Sequence, residues 1–140
     1  MFELLTETAK ADRDLLIKNN EAGDDFNKPR EVDFAFEAVE RGQADDFAEF
    51  VMGKSYGTAQ VSELEPGRFR VVVLIAMPIN QNIINSVSGF MLCLSRLFKV
   101  DYPGMGIDNP KTLTYKVMKH RACSRKVCFL PSSMASADAR

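Results

Sequence analysis

A chain of 140 residues with 46% hydrophobic content is long enough to form one domain with its own core. Its three cysteines, Cys93, Cys123 and Cys128, are odd in number and without framework spacing, which argues against a disulfide-stapled secreted fold. The net charge of −1 conceals a division: residues 1–110 hold 18 acidic and 11 basic side chains, a net of −7, whereas residues 111–140 hold seven basic side chains against Asp138.

The chain opens with Leu4, Leu5, Leu15, Leu16 and Ile17 set among acids and lysines, a pattern that predicts a leading helix over residues 3–19. Acids from Glu3 onward are unlike the basic start of a secretory signal, so a cytoplasmic location is expected. No apolar run approaches the ~20 residues needed to cross a bilayer, and no membrane partner is expected. The cluster "NNEAGDD" is a turn by composition, and "NKPR" then biases the backbone toward an extended form before Pro29.

"REVDFAFEAV" alternates strictly, with Val32, Phe34 and Phe36 on one face and Glu31, Asp33 and Glu37 on the other, as a half-buried strand requires. In "GQADDFAEFVMGK" the period changes. Ala44, Phe47, Phe50 and Val51 fall at helical spacing, Asp45 and Asp46 lie in the expected first turn, and Gly53 is placed to end the helix. "SYGTAQVSELE", the turn "EPGR" and "FRVVVLIA" read as a hairpin, its second strand apolar enough to be central. "PINQNIINSVSGFMLCLSRLF" predicts a long helix entered at Pro78, with a buried stripe of Ile83, Val87, Phe90, Leu94 and Leu97. "LFKVDYPGMG" then sends Leu97 and Phe98 into the core. A last strand over Lys99 to Tyr102 follows, stopped by Pro103 and the glycines.

The order β-α-β-β-α-β after a leading helix is that of the ferredoxin-like α+β sandwich: a four-stranded antiparallel sheet with two helices on one face. The expected organisation is an N-terminal helix over 1–20, a ferredoxin-like domain over 21–110, and a basic tail over 111–140 that is partly ordered at best.

The residues offer little catalytic chemistry. Gly104-Met105-Gly106 leads into no helix and lies between Asp101 and Asp108, so it lacks what a phosphate loop needs. His120 is the only histidine. With Cys123 and Cys128 it falls short of the four ligands of structural zinc, and Arg121, Arg125 and Lys126 beside it repel a cation. The third strand has one aromatic, Phe69, on the expected core face, and lacks the ribonucleoprotein motif of RNA-recognition domains. No enzyme activity and no cofactor are expected. An acidic body repels phosphate backbones and suits a basic protein partner instead of nucleic acid. The alternative is a module of unrelated role that binds a small ligand or forms a homodimer through the open sheet face.

Taken together, "GDDFNKPREVDFAF", "SYGTAQVSE", "RFRVVVLIAMP" and "FKVDYPGMG" resemble the regulator of ribonuclease activity B proteins, small acidic bacterial inhibitors of ribonuclease E. The resemblance spans roughly residues 20–110. Where the family has an acid followed by Tyr-Asp-Gly-Trp-Gly, this chain keeps Asp101, Tyr102, Gly104 and Gly106, with Pro103 in place of Asp and Met105 in place of Trp. The resemblance implies inhibition by docking on ribonuclease E. Asp24, Asp25, Glu31, Asp33 and Asp101 are the charged contacts it suggests, with Arg30, Tyr102, Gly104 and Gly106 shaping the rim.

Overall fold

The computed structural model describes residues 1–107. The expectations for the basic tail, and for His120, Cys123 and Cys128, lie outside the described residues. The elements in chain order are α1 (Phe2–Glu21), β1 (Arg30–Ala38), α2 (Arg41–Gly53), β2 (Thr58–Glu65), β3 (Arg68–Met77), α3 (Gln81–Phe98) and β4 (Asp101–Ile107). All strands pair antiparallel in one open sheet of order β2-β3-β1-β4. Over the described residues this is an α+β fold of one four-stranded sheet and three helices. Among the described residues no helix is long and apolar enough to cross a membrane.

Each helix stops in the same way. The amide of Gly23 returns to the Asn20 carbonyl and that of Asp24 to Asn19, and the same paired bonds recur at Ser55 and Tyr56 and at Lys99 and Val100. This double closure requires a left-handed residue just past the helix end. Gly23 supplies it for α1, but Ser55 (φ 58°) and Lys99 (φ 56°) supply it for α2 and α3. Gly53, expected to end α2, is the last helical residue instead, two positions short of the left-handed one. The start of α2 also differs: Arg41 opens the helix, so Asp45 stands one turn in and pairs with Arg41 at 3.5 Å instead of neutralising the N-terminus.

The alternation in β1 maps onto burial as expected, with Val32, Phe34 and Phe36 fully buried. Val71 and Val73 of central β3 join them, and Phe47 and Val51 of α2 and Ile84 and Met91 of α3 complete the same cluster. Phe36 is the hinge of an aromatic series, its ring 4.4 Å from Phe47 and 5.1 Å from Tyr102, and Phe47 leads on to Phe98 at 5.5 Å. Truncating a ring so placed costs about 3–5 kcal/mol.

Three expectations about the C-terminal elements are corrected. The buried face of α3 is Ile84, Ser88, Met91, Leu92, Leu94 and Ser95, while Ile83 and Phe90 are exposed and Leu97 is 70% exposed. Of the expected stripe, Leu94 is buried and Val87 packs half-buried against the core; the helix carries apolar residues on both sides, so spacing alone carried Ile83, Phe90 and Leu97 onto the wrong one. It also begins later than Pro78, at Gln81, where the Asn80 side chain accepts from the Asn82 amide at 2.9 Å.

The last strand likewise does not stop at Pro103. It runs through Pro103, Gly104 and Gly106 to Ile107, because β4 is an edge strand, where a proline can be seated. Ala35 faces Gly104 and Glu37 faces Asp101, so Tyr102 and Pro103 together oppose the single residue Phe36 in a bulge.

Candidate functional site

The residues singled out from sequence separate into two groups along β1 and β4. The first lies at the start of β1. Gly23 in the left-handed region turns the chain out of α1, and Asp24 then reaches Arg30 at 2.7 Å with its side chain only 2% exposed. Arg30 also donates to the Asp25 carbonyl at 3.5 Å. Asp25 Oδ1 accepts from both the backbone and the side-chain amide of Asn27 at 3.1 Å, a turn closed by its own aspartate. The "GDDFNKPR" loop is therefore held by its own charges: Asp24 is committed inward, whereas Asp25 and Glu31 remain exposed.

Asp33, half-buried, stands directly opposite Gly106. A Cβ added at Gly106 would lie 2.6 Å from Asp33 Oδ1, so the glycine is what lets the carboxylate lie across β4. This gives Gly106 a reason that no turn requires. Gly104 has φ of +138° next to the bulge, a conformation that L side chains rarely adopt.

The second group lies four residues beyond Asp33 along β1, where Asp101 faces Glu37, some ~13 Å at strand rise. Asp101 is exposed at the start of β4. Tyr102 is turned inward by the bulge, where it stacks on Phe36 and its hydroxyl meets Ser88 Oγ at 2.8 Å. Burial pushes the phenol well above its ordinary value, with Asp12 nearby adding to the shift.

Sequence reasoning missed Asp12, a residue only 3% exposed whose carboxyl interacts with the Ser88 hydroxyl. Burial raises its pKa above 3.8, and the Ser88 bond offsets part of that rise. The signal was present in α1. Leu5, Asp12 and Leu16 share one helical face, and an acid among apolar residues on the buried side of a helix is the pattern to look for.

Glu37 was also passed over, as the polar side of an alternating strand. It accepts from Arg68 and, at 2.9 Å, from Arg70 across β3. The Arg70 bond, helped by the charge of Arg68, outweighs partial desolvation and holds the Glu37 carboxyl below its ordinary range.

Between α1, the C-terminal half of α3 and β4 these elements leave a cleft of 380 Å³. Leu4, Leu92 and Val100 contribute apolar wall, and Glu7, Asp12, Glu37 and Asp101 contribute carboxylates. Arg96 is the one cation of the described lining. Among the described residues no group of three His, Cys, Asp or Glu is placed to hold a metal ion, and Cys93 is a free exposed thiol.

Fold and surface thus define a class: the described residues form an α+β fold of one antiparallel sheet and three helices whose distinctive polar feature is a carboxylate-lined cleft. The family follows from the sequence behind that fold. Residues 9–107 match the sequence model of regulator of ribonuclease activity B, and the chain belongs to that family of ribonuclease regulators. No curated protein matches the chain with significance.

Proposed function

We propose that this chain is a noncatalytic cytoplasmic regulator that binds ribonuclease E and inhibits its cleavage of RNA. The observation that carries the reading is the family match over residues 9–107. The charge of residues 1–110, net −7, supports a partner surface rich in arginine and lysine, because carboxylates compete with RNA phosphates for the same cations. The exposed acids Asp25, Glu31 and Asp101 make the direct contacts in this reading. Asp33, the Asp24–Arg30 pair, Tyr102, Gly104 and Gly106 fix the backbone on which those acids stand. A ferredoxin-like assignment belongs to the same proposal, supported by the element order after α1 and by the sheet order β2-β3-β1-β4.

The test is cleavage of a defined RNA by purified ribonuclease E with and without this protein. Micromolar protein is expected to slow cleavage at low ionic strength, with relief as salt rises toward about 1 M, where charge interactions extend only ~3 Å. Unchanged cleavage at low salt would overturn the reading.

A further inference from the structure

The cleft between α1, α3 and β4 has features that general surface acidity does not explain. Glu37 is neutralised by its two arginines, which leaves Glu7, Asp12 and Asp101 as the carboxylates without a cationic partner among the described residues. Asp12 is decisive. It lies in the cleft wall with 3% exposure, and its Oδ2 has no hydrogen-bond partner among the described residues. A buried acceptor left unmet is costly, and such groups in native proteins call for an explanation, a missing ligand being one.

We propose that this cleft receives an arginine side chain from a basic, extended segment of the protein partner, with Asp12 Oδ2 and Asp101 accepting from the guanidinium and Glu7 holding a neighbouring cation at the rim. The proposal rests on the binding reading above and names its surface. Arginine fits better than lysine for three reasons. Its planar fork bonds two acceptors at once, it is more weakly hydrated than an ammonium, and its stem can lie against Leu4, Leu92 and Val100. The volume of 380 Å³ falls in the range of about 300–1,000 Å³ typical of small-ligand pockets. Arg96 on the α3 side repels any incoming guanidinium, which directs the arginine to the Asp12 and Asp101 side and leaves the remaining cations of the segment outside the cleft.

The experiment titrates the full chain with a synthetic nona-arginine peptide by calorimetry, with nona-lysine as the comparison. Tighter binding of the arginine peptide is expected. The exposed pair Glu7→Gln with Asp101→Asn should weaken it about fivefold or more, whereas the same charge change on α2, Asp45→Asn with Asp46→Asn, should leave it within about twofold. Equal weakening by both pairs, or equal affinity for the two peptides, would overturn the cleft assignment. Tighter peptide binding after Arg121, Arg125 and Lys126 are changed to Gln would assign the cleft to this chain's own basic segment and overturn it too.

Running the same variants in the cleavage assay separates the two proposals. Inhibition that survives Glu7→Gln with Asp101→Asn removes the cleft and leaves inhibition standing. Selective peptide binding by a protein that never slows ribonuclease E does the reverse.

Discussion

Two carboxylates in this protein titrate in opposite directions, and the difference follows from what surrounds each. Asp12 is shut between α1 and α3 with the Ser88 hydroxyl as its partner, and burial raises its pKa above 3.8. Above pH 3.8 the unfolded chain gives up this proton while the folded one still holds it, so the unfolded state binds fewer protons and stability falls as pH rises, until the folded pKa is passed. Glu37, held low by Arg70 and Arg68, has the reverse sign: its contribution is present above 4.5 and is lost as pH falls through the folded value. Urea denaturation between pH 4 and pH 7 is expected to show a shallower loss of stability with rising pH in Asp12→Asn than in the unaltered protein. Glu37→Gln should cost stability at pH 7 and progressively less toward acid. An unchanged slope in Asp12→Asn would mean that Asp12 titrates alike in both states. Neither residue stood out in the sequence, because a lone acid in a helix and a polar residue in an alternating strand are ordinary until burial and partners are known. Tyr102 did stand out, and its inward turn depends on a bulge that alternation cannot announce.

The elements that could be read from sequence were those whose apolar residues fall on a single side. β1, with Val32, Phe34 and Phe36 on one face, could be read outright. The hairpin of β2 and β3 was legible for another reason, its turn at Pro66-Gly67 followed by an apolar run on both faces. α3 has apolar residues on two sides, so its period was correct while its buried face was found only at Val87 and Leu94. β4 was cut short because Pro103 and two glycines usually end a strand, and sequence does not say which strand lies at an edge.

Gly57, just before β2, and Gly106, within β4, offer a test of how tightly the elements are fitted together. A Cβ at Gly57 would stand 2.6 Å from the Leu74 backbone carbonyl, which cannot move without displacing β3. At Gly106 the obstacle is the Asp33 carboxylate, the end of a side chain that can rotate. Gly57→Ala is therefore expected to cost about 1–3 kcal/mol in chemical denaturation, and Gly106→Ala less. In an Asp33→Ala background the cost of Gly106→Ala should shrink, giving a coupling of at least about 0.5 kcal/mol in the double-mutant cycle. Additive effects would show that the carboxylate does not rest on β4.

At the scale of the whole molecule, the charge of residues 1–110 and the cleft should act on different rate constants. A net of −7 creates a field that draws a cationic partner from a distance, and this steers encounter without deciding how long the complex lasts. Close ion pairs in the partly desolvated cleft resist dissociation instead, since screening reaches buried pairs far less than exposed ones. Between about 0.1 M and 1 M salt the Debye length shrinks from ~10 Å to ~3 Å. The association rate with the proposed partner, ribonuclease E, is accordingly expected to fall about tenfold or more while the dissociation rate changes much less. Neutralising Asp45, Asp46 and Glu49 on α2, away from the cleft, should lower the association rate alone, whereas Glu7→Gln with Asp101→Asn should chiefly raise the dissociation rate. Stopped-flow association and competitive dissociation on the same set of variants measure both. If the α2 and cleft variants change the same rate constant to the same degree, the partner senses only total charge, and the buried carboxylate of Asp12 has no part in holding it.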